Sequence, residues 1–318
     1  MKKLSAMILA LVLVFSLTAC GSSSANLRFV TGGESGTYYG FGSVLAQHAT
    51  NNAGIKVTGL VGNGSQSNIN ELKEGNAELA FCQSDVMAYA YNGTNLFDTP
   101  ITNFSTVAAL YTEQVQIVTL DASIKTVADL KGKKVSIGAA GSGVYFNAID
   151  ILNAAGIDID DIKPQYQSFE DSKEALKDGR IDAAFIVSGT PTTAITELAT
   201  TNGVNLISID EELQEKILSD YSYYKAYTIP AGTYPDQDED IQTVAVEATL
   251  IVSADVDEET VYNLTAAIFD HVEDIKLENS KGGELTLESA TDITTVPYHA
   301  GAAKYFAEKG YTVNTDEN

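Results

Sequence analysis

Two ten-residue stretches, LKEGNAELAF at residues 72–81 and LKDGRIDAAF at residues 176–185, are one phrase written twice, 104 residues apart. Each reads as the end of a helix, a glycine that closes it, a tight turn and a buried strand. The strand then opens into a polar turn and another helix. In the first copy Gln83-Ser84-Asp85 precedes Val86 to Tyr91, and in the second Ser188-Gly189-Thr190-Pro191 precedes Thr192 to Ala199. Ser, Thr and Asp cap such helix starts, and Pro suits their first turn. Upstream of each phrase lies a further strand, glycine loop and helix: Lys56 to Val61, Gly62 to Ser65 and Gln66 to Lys73 in one case, Lys134 to Ile137, Gly138 to Gly143 and Val144 to Ala155 in the other. Strands and helices alternating at this spacing predict an α/β chain with a mostly parallel sheet and right-handed crossovers. Two such units in tandem predict two lobes.

The chain is expected to return to its first lobe. A Pro/Gly/Tyr-rich stretch, Tyr227 to Pro235, interrupts the helical pattern, and an apolar strand, Thr243 to Val252, and a long helix, Glu258 to Leu277, follow it. These closing residues hold too few strands for a core of their own. The expected division is residues 27–119 with 229–318 as lobe one and 120–228 as lobe two, with crossings at Thr119 to Ile124 and Tyr227 to Ala231.

The N-terminus reads as a secretory signal over residues 1–19: Lys2 and Lys3, an apolar run from Leu4 to Leu17, and small residues before Cys20. The run is shorter than the roughly 20 residues that a spanning helix needs. Leu17-Thr18-Ala19-Cys20 resembles a bacterial lipobox, which implies lipidation of Cys20, a flexible tether over residues 20–26 and a body anchored at the outer face of the membrane. Cys82 would then be the one remaining thiol, so no disulfide and no Cys-x-x-Cys metal site is expected. Of 19 basic and 43 acidic side chains, loss of Lys2 and Lys3 leaves 17 against 43. Such a body is a poor partner for nucleic acid or anionic lipid, and a monomer is expected.

In open parallel sheets ligands bind beyond the carboxyl ends of the strands. The loop TGGESGTYYG, residues 31–40, and the four loops after the other strands named above gather there. Their helix N-termini present free N–H groups and a positive dipole end, which favour an anion. Nucleotide motifs fail in detail, since no Lys-Ser or Lys-Thr follows a G-x-x-x-x-G and Leu45 stands where the third glycine of G-x-G-x-x-G belongs. His48, His271 and His299 show no metal spacing and are expected on the surface or along helices, and Gly141-Ser142-Gly143 lacks the frame of a nucleophile elbow. No enzyme activity, cofactor or metal is expected. With Arg28 and Arg180 the only arginines, a guanidinium clamp is available at best from Arg28, and a lysine such as Lys225 is the other candidate cation.

Three stretches then carry a family resemblance: Thr31 to Tyr39 (TGGESGTYY), Asp129 to Val135 (DLKGKKV) and Val296 to Phe306 (VPYHAGAAKYF). Together they look like the TAXI family of solute-binding subunits of tripartite ATP-independent periplasmic (TRAP) transporters. The resemblance implies a two-lobed periplasmic-binding-protein type II fold with two hinge crossings. It also implies capture of a small anionic solute, glutamate, glutamine or a dicarboxylate such as 2-oxoglutarate, for a TRAP-type permease. By motif, Ser35, Gly36, Thr37, Tyr38, Ser65 and Gln83 become ligand-binding candidates on lobe one, faced by Ser142, Gly143, Ser188, Gly189 and Thr190 on lobe two. Three other readings share the loops: a binding protein of an ABC permease for sulfonates or similar anions, a ligand-sensing accessory of a membrane receptor, and an extracytoplasmic hydrolase that would depend on Ser142 or Ser188.

Overall fold

The structure is a computed structural model that describes residues 25–315, so the expected signal segment and Cys20 lie outside the described residues. The first half alternates strands and helices as β1 (Asn26–Val30), α1 (Thr37–Asn52), β2 (Lys56–Leu60), α2 (Ser65–Lys73), β3 (Leu79–Gln83) and α3 (Ser84–Asn92). A sixteen-residue strand follows, β4 (Phe104–Thr119). The second half repeats the alternation with β5 (Lys134–Ser136), α4 (Gly143–Ala154), β6 (Lys163–Gln165), α5 (Phe169–Lys177), β7 (Ala183–Ser188) and α6 (Thr193–Asn202). After these come β8 (Asn205–Ile207), α7 (Glu211–Asp220), β9 (Lys225–Ile229), β10 (Ile241–Ser253) and α8 (Glu258–Phe269). Shorter helices and Ala300–Glu308 complete the chain.

One sheet runs through the molecule in the order β2-β1-β3-β10-β4-β7-β5-β6, with β8 beside β4 and β9 beside β10. Its two ends are parallel, as expected: β1 pairs with β2 and β3, and β5 with β6 and β7. The centre departs from the expectation. β10 is antiparallel to both β3 and β4, and β4 is antiparallel to β7, so the sheet is mixed. β4 was not anticipated. Its sequence, FSTVAALYTEQVQIVT, is buried along fifteen of sixteen positions and has no two-residue alternation to mark it.

Both long strands change partners at one place. β4 pairs with β10 from Phe104 to Gln114 and with β7 from Gln114 to Thr119. β10 pairs with β9 from Ile241 to Ala245 and with β4 from Ala245 to Ser253. The hydrophobic core divides accordingly. One cluster includes Phe29, Phe81, Leu250 and Phe306. Two others, around Val135, Ile151 and Phe185 and around Leu176, Ile186 and Ile195, lie on the faces of the second half.

The 104-residue repeat extends further back than the phrase that reveals it. Ser65–Lys73 (α2) and Phe169–Lys177 (α5) are related by the same offset, so the loop at residues 62–64 matches residues 166–168 rather than 138–142. The glycine loop before α4 is instead the counterpart of residues 31–36 before α1. The short strand β6 carries Pro164 and no apolar run, and for that reason it left no trace in the sequence pattern. The expected helix Glu258 to Leu277 is also two helices, α8 and Val272–Glu278, broken at Asp270 and His271.

Phe81 is fully buried against Tyr38, with ring centroids 4.5 Å apart, and against Phe29 at 5.0 Å. Phe81→Ala is expected to lower stability by about 3–5 kcal/mol, read as a shift in the denaturant midpoint at unchanged slope.

Candidate functional site

All six strand-to-helix loops of the two halves end at one cavity of about 690 Å³. Gly32 to Tyr38, Val61 to Ser65 and Gln83 reach it from the first half, and Ala139 with Ser142 to Val144, Gln167 to Glu170, and Val187 with Ser188 from the second. Glu113 of β4, Lys173 of α5 and Thr193 and Glu197 of α6 complete the wall.

Five of the six helices that start at the cavity have no side-chain cap, α1 after Gly36, α2 after Gly64, α3 after Gln83, α4 after Ser142 and α6 after Thr192. The sixth, α5, is capped by Ser168, which accepts from the Asp171 amide, as Asp210 and Asp257 away from the cavity accept from Leu213 and Thr260. Uncapped N-termini leave donors and a positive dipole end directed into the cavity. Ser142 Oγ is buried there with no hydrogen-bond partner, a polar atom placed for a group that the protein does not supply.

The halves are in close contact around this space. The Thr37 amide donates to Ser188 Oγ at 3.2 Å, Ser188 Oγ donates to Thr37 Oγ1 at 2.9 Å, and the Ser67 amide donates to the Gly141 carbonyl at 2.9 Å. Glycine is required at two of these positions. A Cβ on Gly143 would lie 1.4 Å from Gln83 Oε1, and Gly64, at φ +104°, would bring a Cβ within 2.9 Å of Ser142 Cα.

Of the residues expected to bind ligand, Ser35, Gly36, Thr37, Tyr38, Ser65, Gln83, Ser142, Gly143 and Ser188 line the cavity. Gly189 and Thr190 do not. The Gly189 carbonyl accepts from Thr37 Oγ1 at 3.2 Å, and the Thr190 amide donates to Gln114 Oε1 at 2.9 Å. Between the two tyrosines, Tyr38 lines the cavity and Tyr39 does not. Arg28 is not a clamp: its Nε donates to Glu78 Oε2 at 3.1 Å and its Nη2 to the Gly75 carbonyl at 2.7 Å. Lys225 is held by Glu247 at 3.1 Å and Asp292 at 3.2 Å, and it stays off the cavity wall.

The lysine in the wall is Lys173, which sequence reasoning passed over because it stands mid-helix. Its ammonium pairs with Glu197 at 2.7 Å and Glu170 at 2.8 Å, and Glu170 and then Glu197 raise its pKa. Glu113 was missed as well, since β4 was unread. Tyr38 OH donates to Glu113 Oε2 at 2.8 Å, and burial pushes the Glu113 carboxyl up to about 8, so it carries its proton at neutral pH. Gln167, Phe169, Glu170 and Glu197 share the omission, although the 104-residue offset carried back through α2 would have reached the first three.

No histidine lines the cavity. His48 lies on α1 and His299 caps the helix Ala300–Glu308, within the expected surface or helix placement, and both are buried, His48 beside Glu278 at 3.3 Å and His299 accepting from the Gly301 amide at 3.2 Å. Neither Ser142 nor Ser188 thus has an imidazole base beside it. Among the described residues no cluster of ligating side chains could hold a metal, and no helix is long and apolar enough to cross a membrane.

A family profile described as the NMT1-like family matches residues 29–310, almost the whole described chain. The chain belongs to the NMT1-like family. That membership corrects the TAXI and TRAP resemblance. Its three stretches, Thr31 to Tyr39, Asp129 to Val135 and Val296 to Phe306, all lie within the segment that the NMT1-like profile matches. A relative from Escherichia coli (strain K12), provisionally named as binding aliphatic sulfonates, is 39% identical over 70 residues, and the match spans 22% of each chain. The alkanesulfonate-binding protein SsuA from Xanthomonas axonopodis pv. citri, solved bound to MOPS, is similar with a TM-score of 0.52 at 16% identity over 90% of this chain and 85% of that one. PhnD1 from Prochlorococcus marinus (MIT 9301), solved with methylphosphonate, gives 0.54 at 11% identity over 81% and 90%. The fold of this NMT1-like chain is therefore the two-lobed α/β periplasmic-binding-protein type II fold, with β4 and β10 as its two crossings.

Ionisation of Glu113 sets a pH dependence. Its folded value lies above its ordinary 4.5, so the unfolded chain loses this proton first as pH rises. The residue's contribution to stability is therefore expected to fall between pH 4.5 and about 8 and to level off above it. Melting curves of Glu113→Gln against the parent should show a difference favouring the Gln variant that grows from pH 5 to 8 and then stays constant.

Proposed function

We propose that the chain is an extracytoplasmic solute-binding lipoprotein, anchored through Cys20, that closes on a small monoanionic solute and delivers it to an ABC-type membrane permease. A sulfonate or an oxyanion of similar size is the ligand class. The observation that carries this reading is the convergence of uncapped helix N-termini, those at Thr37, Ser65 and Gly143 among them, on one cavity between the halves. Family membership supports it, as does the chemistry named for the sulfonate- and phosphonate-binding proteins of the same fold.

Ser35, Gly36, Thr37, Tyr38, Ser65, Gln83, Ser142, Gly143 and Ser188 are the proposed binding residues, through hydroxyls, one amide side chain and backbone N–H groups. Gly189 and Thr190 support them by fixing Thr37 and Gln114. The charge of the wall favours a monoanion over a dianion. Glu34, Glu170 and Glu197 lie on it, and its one lysine is already paired with two of them. An oxyanion held by neutral donors avoids the desolvation that a second charge would add. The proposed pivots lie inside β4 and β10, at Gln114 and Ala245 where the pairing changes, which moves the expected lobe limits at residues 119 and 229, since Val115, Ile117, Tyr234 and Val244 pack in the clusters of the second half. No chemical turnover is assigned to Ser142 or Ser188, beside which the wall carries no histidine.

Thermal melting against ethanesulfonate, taurine, methylphosphonate, glutamate, succinate and a cationic control tests the ligand class. Ligand at about 100 times its Kd adds about 2.7 kcal/mol, a rise of several degrees for a chain of this size. The expected outcome is a rise with a sulfonate that is lost in Ser142→Val. A rise confined to the cation, or none with any anion, would remove the oxyanion reading.

A further inference from the structure

Behind the cavity lies a second buried polar cluster, joined to the ligand-facing wall through Gln83. Gln83, in the cavity wall, donates through Nε2 to Asn147 Oδ1 at 2.9 Å. Asn147 spends its own amide on Asp85 Oδ2 at 2.9 Å and on Tyr224 OH at 2.8 Å. Tyr224 OH in turn donates to Asp150 Oδ2 at 3.0 Å, and Tyr89 OH reaches the same oxygen at 3.5 Å. All six side chains are buried, and Asp85 and Asn147 are 0% exposed.

The cluster spans the two halves. Asp85 and Tyr89 ride on α3, whose Val86, Met87 and Tyr89 pack in the first core. Asn147 and Asp150 ride on α4, whose Ala148 and Ile151 pack in the second, as does Tyr224. Asn147 thus donates across the seam to Asp85 and within its own half to Tyr224, and its carbonyl, accepting across the seam, fixes the orientation of Gln83.

We propose that Asn147, Asp85, Asp150 and Tyr224 form a pH-sensitive clasp that holds the lobes shut at mildly acidic pH and loosens as the pH rises through neutrality, with Asn147 as the positioning residue for Gln83. The inference rests on the two-lobed fold and not on the ligand class.

The electrostatics set the direction. The groups facing Asp85 are Asn147, Tyr224, Tyr89, Tyr223, Cys82, Glu113 and Asp150. Those facing Asp150 are Tyr89, Tyr221, Tyr224 and Asp85. None of them is a cation. The ammonium on the element packed against α4, Lys216 of α7, is directed to the Ala154 carbonyl. Among the described residues neither aspartate forms an ion pair, and Asp85 Oδ1 has no hydrogen-bond partner. Burial, then the nearby Asp150, pushes Asp85 up to about 7, and burial pushes Asp150 up to about 6. Opening the seam admits water and returns both carboxyls toward their ordinary 3.8. The closed form therefore binds more protons than the open form, and closure weakens as pH rises from about 4 to about 7.

The test places spin labels on Lys73→Cys and Lys177→Cys, one at the exposed end of α2 and one at that of α5, in the full chain with Cys20→Ser. Cys82 is buried and escapes labelling. Interlobe distances are measured without ligand from pH 5 to pH 8.5. The expected result is a short-distance population that falls several-fold across this range, a flattened profile in Asp85→Asn and in Asp150→Asn, and a smaller short-distance population at pH 5 in Asn147→Ala. Cooperative melting of each variant separates this from misfolding, and either aspartate variant suffices if the other does not fold. A distance distribution identical at pH 5 and 8.5, or the parent's profile retained in a folded Asp→Asn variant, would overturn the clasp. The thermal-shift panel reports on ligand class whichever way this falls.

Discussion

Ala245 of β10 stands opposite Gln114 of β4 at the point where both strands exchange the partners of one half for those of the other. Everything functional depends on this antiparallel pair. Each strand is buried almost end to end, so its backbone groups must be paired, and the ladder that pairs them also ties the two parallel sheets into one. A long strand pair bends and twists more readily than it breaks. It ties the two halves together at a fixed place, and it aims the strand-to-helix loops of both halves at one volume.

Within that volume the wall offers donors rather than fixed positive charge. The helix starts at Thr37, Ser65 and Gly143 carry no side-chain caps, and the only lysine in the wall is already shared by Glu170 and Glu197. Glu113 contributes little negative field at neutral pH, because burial keeps its proton on while Tyr38 donates to it. The same desolvation acts on Asp85 and Asp150 a few residues behind the wall. Buried carboxyls without cationic partners thus recur on both sides of Gln83, the side chain that links the cavity to the seam.

Close approach of the halves depends on residues that have no side chain to offer. Gln83 Oε1 occupies the space where a Cβ of residue 143 would stand, and residue 64 needs a positive φ as well as room against Ser142. These glycines permit a closed seam and leave the hydrogen bonding to their neighbours Ser65 and Ser142. Sequence reading caught the glycine loops for a different reason, as soft approaches to a ligand, and that is one source of the misplaced family: glycine loops and helix starts describe how the type II fold is built, whereas the branch within it is written across the whole chain.

The duplicated phrase at residues 72–81 and 176–185 determined by itself that this is an α/β protein made of two related units, because helix ends, glycine caps and buried strands are local events governed by a few adjacent residues. The candidate residues on the glycine loops were legible for the same reason. The route of β4 and β10, the identity of Lys173 and Glu113 as wall residues, the burial of His48 and His299 and the Asp85–Asn147–Asp150 cluster were decided only by the tertiary structure. Each of these depends on residues brought together from separate elements of the chain, and burial, which sets their charge, is a property of the neighbours that the fold brings rather than of the residues beside them in the chain.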